Sequence, residues 1–368
     1  MYNPQPGDPL DAVDTPAMLI DLDLMEANIA RLFERFRNSP VKVRPHLKTV
    51  KSPVLAKKMI EAGAIGGCVA KVSEAEVMAE AGIEDLLITT EVMHWPKFFR
   101  LMTLLKSHPQ IKVVVDNLQG AENLNMYMQQ MAIKEPLQIL LDLNVGQNRT
   151  GVAPDKWVVP LAREISKLDR LKLIGVQGYE GHLQHIHDRA EREQRCREAM
   201  EQLTGTAFQL REAGFNIEIV TTGGTGTAEF CAVFPGVTEV QPGSFIFMDT
   251  DYRNAIGPVY ANALTILSTV ISHTRKRQAI IDAGLKSLST DSGFAEPKDW
   301  PGVRYRPGGD EHGILEWDEG VAGPGLGDQV EMIPSHIDTT VNLHDNYYAI
   351  RRGKIEAIWP VATRGKVQ

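Results

Sequence analysis

Cysteine is scarce: Cys68, Cys196 and Cys231 are the only three in 368 residues, and none stands in CxxC spacing. An odd, scattered set excludes a disulfide framework and a cysteine-built metal site, and it fits a reducing cytoplasm. Long apolar runs are missing too. No segment is apolar over the roughly 18 residues that a membrane-spanning helix needs, and the start, MYNPQPGDPLDAVDTPAMLIDLDLM, lacks a basic stretch followed by an apolar one. A soluble, unprocessed protein is expected. Basic charge is in deficit, with 39 Lys and Arg against 47 Asp and Glu and a net charge of −8. That balance argues against nucleic acid as a partner and leaves small molecules.

What is present is a hydrophobic content of 43%, enough for one large domain and a smaller one. From residue 41 to 243 the chain repeats a short, often β-branched apolar run, a turn, and a longer segment with apolar residues at helical spacing. The runs are Val41–Arg44, Gly67–Val72, Asp85–Thr90, Ile111–Asp116, Leu137–Val145, Leu173–Tyr179, Ile217–Thr222 and Val237–Gln241. Eight strands alternating with helices predict an α/β chain built as a (β/α)8 TIM barrel, placed at residues 24–255. The last unit is the weakest, because little helix fits between Thr225 and Pro235. Beyond it, Ala261–Ser272, Arg277–Ala283 and later short runs predict a mainly antiparallel β domain over 256–368, joined by the N-terminal segment 1–23 through the run Ala17–Asp23.

Reacting groups in such barrels stand at the C-terminal ends of strands. Lys48 lies there, after the first strand and before the apolar helical pattern of Pro53–Ile60. A solvated lysine in a run with Lys42, Lys51, Lys57 and Lys58 is the alternative. Arg149 in the GQNRTG loop suits an oxygen anion, or is a surface arginine; Tyr179 closes strand six. The Gly223-Gly224-Thr225-Gly226 turn comes after strand seven, where open N–H groups suit a phosphate. Its spacing is not the dinucleotide-type GxGxxG, and a plain tight turn is the alternative. His182, His185 and His187 form HxxHxH, read as a source of a proton carrier rather than a metal site. His336 and Asp338 stand two apart; on an extended segment they face one side and can chelate Mn²⁺, Mg²⁺ or Zn²⁺, or else simply bond each other.

In order along nearly the whole chain, DTP (Asp14–Pro16), RPHLK (Arg44–Lys48), KVSEAE (Lys71–Glu76), TEV (Thr90–Val92), GQNRTGV, GVQGYEGHLQH, GGTGTAEF, QPGSFIFMDTDY (Gln241–Tyr252), IDAGLKS (Ile281–Ser287), DEHG (Asp310–Gly313), PSHIDTTVNLHD and WPVATRG (Trp359–Gly365) resemble the metal-activated D-threonine aldolase family. These are pyridoxal-phosphate enzymes on an alanine-racemase-like barrel plus β domain. The resemblance implies that Lys48 carries the cofactor, that Gly223, Gly224 and Thr225 cradle its phosphate with Tyr252 as a further candidate, and that Arg149 and Tyr179 meet its ring. It also implies His336 and Asp338 as ligands of a divalent cation, Mn²⁺ foremost, with His182 a candidate proton carrier. The implied reaction is retro-aldol cleavage of D-threonine or a related D-β-hydroxy-α-amino acid in a homodimer, with Asp310, Glu311 and His312 as candidates to complete a partner's site. Related dehydratases of D-serine and D-3-hydroxyaspartate usually carry cysteine where this chain has Asp338, whereas aldolases of 3-hydroxy-D-aspartate share the HxD. A metal-free racemase and a cofactor-carrying barrel without the β domain are further alternatives. Val50 and Ala70 depart from the histidine and glutamine common at those places.

Overall fold

The computed structural model describes residues 4–368; the first three residues of the 1–23 segment lie outside it. Two compact units emerge, one comprising Phe33–Lys48, Pro53–Gly243 and Lys366–Gln368, the other the chain through Leu32 with Thr49–Ser52 and Ser244–Gly365. The chain opens with β1 (Ala17–Asp21) and α1 (Leu22–Phe36). Eight strands come next: β2 (Lys42–Val43), β3 (Gly67–Val69), β4 (Leu86–Ile88), β5 (Lys112–Val115), β6 (Leu137–Asp142), β7 (Leu171–Gln177), β8 (Ile219–Thr222) and β9 (Glu239–Val240). Between them run α2 (Pro53–Glu61), α3 (Val72–Glu80), α4 (Trp95–Leu105), α5 (Leu118–Gln130), α6 (Val158–Ile165), α7 (Arg189–Glu212) and the four-residue α8 (Ala228–Cys231).

The eight strands occupy the predicted positions in the parallel order β2-β9-β8-β7-β6-β5-β4-β3. Leu47 N–H to the Cys68 carbonyl (2.7 Å) and Cys68 N–H to the Pro45 carbonyl (2.8 Å) join the two ends into a barrel. The helices form where their patterning predicts. In α7, Asp188 caps the first turn by accepting Glu191 N–H (2.8 Å), and Cys196, Ala199, Met200, Leu203, Ala207 and Leu210 recur at three- and four-residue spacing on one buried stripe. The strands are shorter than their apolar runs. β6 ends at Asp142 rather than Val145, because beyond it Asn144 takes the N–H groups of Gly146 and Asn148 through its side chain, and Gly146 turns with φ +112°.

Below the strands, at the N-terminal ends of β4, β5 and β9, sits a charged cluster. Arg44, 2% exposed, donates through Nε and Nη2 to both oxygens of Glu239 (2.9 Å each) and through Nη1 to Asp85 (2.7 Å), which Lys112 also reaches (2.6 Å). The carboxylate of Asp85 is held below its usual range: burial opposes this, but Arg44 and Lys112 prevail.

The second unit holds α9 (Thr250–Ile256), α10 (Ile337–Val341) and the strands β10 (Leu264–Arg275), β11 (Gln278–Ile281), β12 (Glu296–Pro297), β13 (Val303–Pro307), β14 (Gly313–Trp317), β15 (Gln329–Ile333), β16 (Asn346–Arg351) and β17 (Lys354–Pro360). Its nine-stranded sheet runs β13-β14-β11-β10-β1-β16-β17, with β15 on β10 and β12 on β15. Among the described residues of this sheet only the β1–β16 pair is parallel. Arg352 (φ +52°) and Gly353 (φ +71°) form the two-residue turn that the twist of the β16–β17 hairpin requires. Val13, Ala17, Leu19, Leu267 and Ile355 form one core cluster beneath β1. Among the described residues no helix is long and apolar enough to cross a membrane.

Replacing Arg44 by Met strands the carboxylate of Glu239, 7% exposed in its side chain, without its cation. The expected loss is about 3–5 kcal/mol of unfolding free energy. It is measured as a shift of the urea midpoint at constant slope, and a second change, Glu239→Leu, recovers part of it.

Candidate active site

Within the barrel unit the strand ends gather most of the predicted groups. Lys48 is half-buried past the end of β2, and its own N–H is 3.4 Å from Nδ1 of His46, whose Nε2 lies 3.0 Å from the Thr89 hydroxyl at the end of β4. The guanidinium of Arg149 stands 5.7 Å from the ring centre of Tyr179. Together with Asp142, Leu143, Gln147, Thr150 and Gln177 they line a shallow polar cleft. His182 packs against Gly146, where a Cβ would lie 2.9 Å from the imidazole. Burial, then the nearby Arg195, lowers the pKa of His182. His185 and His187 are exposed, and among the described residues no group of three or more His, Cys, Asp or Glu is arranged to hold a metal ion.

The glycine turn after β8 differs from expectation in one respect. The N–H groups of Gly223, Gly224 and Gly226 do not point outwards as open donors; they go to Glu180 Oε2 (3.3 Å), Thr227 Oγ1 (3.1 Å) and Gln184 Oε1 (2.9 Å). The cause is Glu180, a carboxylate with no exposure that must find donors inside the protein. It accepts also from Thr222 (2.7 Å), Gln184 (3.2 Å) and Thr227. Side chains have no room on the far side: a Cβ on Gly224 would lie 2.5 Å from Gln184 Oε1, and one on Gly226 2.4 Å from the Gln184 carbonyl. The turn is therefore shaped by Glu180 and Gln184, two residues within the GYEGHLQ motif that nothing in their spacing marks out.

Also unforeseen is a group of carboxyls at the ends of β4 to β6. Asp142 accepts from Gln177 Nε2 and Thr150 Oγ1 (2.9 Å each), and Asp116 accepts from Gly151 N–H (3.2 Å). Burial first, then the neighbouring Asp142, raises Glu91 to about 7. Asp142 itself is raised by burial. The strand-end rule finds Asp142 once β6 is ended there rather than at Val145.

The β unit holds the other candidates. His336 has extended backbone, but Asp338 lies in the first turn of α10, so the pair is not on an extended segment as the sequence suggested. Asp249 imposes the turn. Its fully buried carboxylate accepts the Ile337 N–H (3.0 Å) through Oδ2 and the Tyr252 N–H (2.8 Å) through Oδ1, which caps α9. Burial pushes Asp249 up to about 7. His336 is raised although burial opposes it, because Asp338 and Asp291 are close. Nδ1 of His336 meets Asp291 Oδ2 at 2.6 Å, so Nε2 is the ring nitrogen that would serve a cation alongside the Asp338 carboxylate. One imidazole and one carboxylate suit a divalent cation whose remaining positions are taken by water or substrate. Tyr252 is buried in α9.

Replacing Glu180 by Ala leaves the buried donors of Thr222, Thr227, Gln184 and Gly223 unmatched. At about 1–3 kcal/mol for each unmade bond, a loss of about 3 kcal/mol or more is expected in denaturant unfolding, with Glu180→Gln losing less.

The sequence profile of the family described as alanine racemase, N-terminal domain, matches residues 20–251, and that of a serine dehydratase domain matches residues 263–350. Over 364 residues the chain is 38% identical to the D-threonine aldolase of Arthrobacter sp, covering 98% of this chain and 95% of that protein. It is 35% identical to the 3-hydroxy-D-aspartate aldolase of Paracoccus denitrificans (strain Pd 1222), over 98% of this chain and 95% of that one. The crystal structure of D-threonine aldolase from Filomicrobium marinum superposes with a TM-score of 0.95 at 37% identity, covering 99% of this chain and 100% of that one. The D-threo-3-hydroxyaspartate dehydratase from Delftia sp. HT23 gives a TM-score of 0.87 at 29% identity, covering 96% and 98%. A variant of a dehydratase of that name, with a cysteine replaced by alanine, was solved in a metal-free form. With its alanine-racemase-like barrel and its serine-dehydratase-type β domain, this chain belongs to the D-threonine aldolase family.

Proposed function

We propose that the protein is a lyase that splits the Cα–Cβ bond of D-β-hydroxy-α-amino acids, converting D-threonine to glycine and acetaldehyde with pyridoxal phosphate and a divalent cation, Mn²⁺ foremost. The observation that carries this reading is Asp338 two residues after His336, where the related dehydratases usually have cysteine. When bound, the pyridine ring supplies an electron sink for the bond that breaks, and the cation supplies a Lewis acid for the β-hydroxyl.

The chain's own residues then have distinct tasks. Lys48, half-buried at its strand end, would hold the cofactor through its side-chain amine. Arg149 and Tyr179, already face to face, orient the ring. Gly223 and Gly224 shape the turn, since their N–H groups serve Glu180 and Thr227, and Thr225 and Tyr252 are the residues that would contact the phosphate. His336 and Asp338 bind the cation. His182, whose pKa is lowered by burial and by Arg195, takes the hydroxyl proton on its imidazole nitrogen. The protein is proposed to act as a cytoplasmic homodimer. A second reading, cleavage of 3-hydroxy-D-aspartate, is favoured by the 35% identity to that aldolase and changes only the β-substituent.

Lys48→Ala is expected to lose the absorbance of the bound cofactor and to lower turnover on the order of 10³-fold or more; near-normal turnover would remove Lys48 from the mechanism. Chelation should abolish activity and Mn²⁺ restore it, whereas Asp338→Ala should keep the cofactor and gain nothing from added metal. Incubation with D-threonine and product identification tests the reaction itself: glycine with acetaldehyde is expected, and 2-oxobutanoate would make the protein a dehydratase.

A further inference from the structure

We infer that Asp291 is a positioning residue for the cation, acting through His336 rather than on the metal. The inference rests on the reading of His336 and Asp338 as metal ligands. A carboxylate only accepts hydrogen bonds, so the 2.6 Å contact between Asp291 Oδ2 and His336 Nδ1 puts a proton on Nδ1, and the neutral ring then carries its lone pair on Nε2. The charge behind the ring also makes Nε2 a stronger donor to a cation.

The carboxylate is itself held on its other oxygen, which accepts from Ser289 Oγ (2.5 Å) and Thr339 Oγ1 (2.8 Å). The loop that carries it is fastened to the His336 segment from below. The fully buried hydroxyl of Ser335, the residue before His336, donates to the carbonyls of Gly293 (2.9 Å) and Ser289 (3.2 Å), and the Ser289 N–H donates to Thr340 Oγ1 (3.3 Å). Such fastening fixes where Asp291 stands relative to the imidazole. The fold has little need of the contact itself, because the Asp291 side chain is 46% exposed and hydrogen bonds at such a surface add little stability. What the arrangement serves is the direction and basicity of Nε2.

The test uses the cofactor-loaded protein stripped of metal by a chelator and titrated with Mn²⁺ alone, free Mn²⁺ being read by electron paramagnetic resonance. For Asp291→Ala the Kd is expected to rise roughly 10- to 100-fold, with Asp291→Asn between it and the unaltered protein. Cofactor absorbance and the metal-free thermal midpoint should stay unchanged in both, which a merely structural residue would not allow. Affinities within twofold of the unaltered protein in both variants overturn the inference. His336→Ala separates the two levels of argument. If it loses Mn²⁺ while Asp291→Ala does not, the inference alone fails; if it binds Mn²⁺ normally, the cation site and the inference fall together.

Discussion

The guanidinium of Arg44, closed off from solvent, is the interaction on which the barrel depends. β2 and β9 pair over only two residues each, which is too short a ladder to define register. The two-pronged contact of Arg44 with Glu239 spans that seam, and the bond to Asp85 ties the same side chain to the foot of β4. A buried ion pair gains little net stability, since desolvating both charges offsets most of their attraction. Its effect is selective: any slip of β2 would leave two charges unmatched. Lys48 lies four residues beyond Arg44, so the exit of the strand that carries it is set from below by charge and from above by the bonds of Leu47 and Cys68.

Two further buried carboxyl groups are satisfied chiefly by hydrogen bonds, and each organises a piece of candidate site. Glu180 gathers hydroxyl, amide and backbone donors and thereby fixes the glycine turn after β8. Asp249 caps α9 and holds the Ile337 amide between His336 and Asp338. In both cases a carboxyl group with no exposure dictates local backbone, because the cost of leaving it without hydrogen-bond donors exceeds the cost of bending the chain towards it. The residues expected to meet a ligand are thus held in place by residues that do not.

Much of this is legible in the sequence. Short apolar runs between helical patterns mark the eight barrel strands, and the weak eighth unit has a helix of only four residues. Lys48, Arg149, Tyr179 and His182 stand out because each lies just past the end of an apolar run, where barrel strands present their chemistry. The strand ends themselves are less legible, because Leu143 and Val145 continue an apolar pattern that Asn144 and Gly146 interrupt. The geometry of His336 and Asp338 escapes the sequence for a similar reason. Spacing alone does not tell an extended pair from one at a helix start, and the Asp249 carboxylate that decides it lies 88 residues away.

By itself the sequence determined the alternation of strand and helix, the class of fold and, through its ordered motifs, the family. Those properties rest on local periodicity and on residue types at fixed spacing, which each stretch of chain carries with it. Only the tertiary structure decided which acid serves which partner. Arg44 meets Glu239 across 195 positions, Glu180 meets Thr222 across 42, and Asp291 meets His336 across 45. A buried charge takes whatever donor the fold brings within about 3 Å of it, and no spacing along the chain encodes that choice.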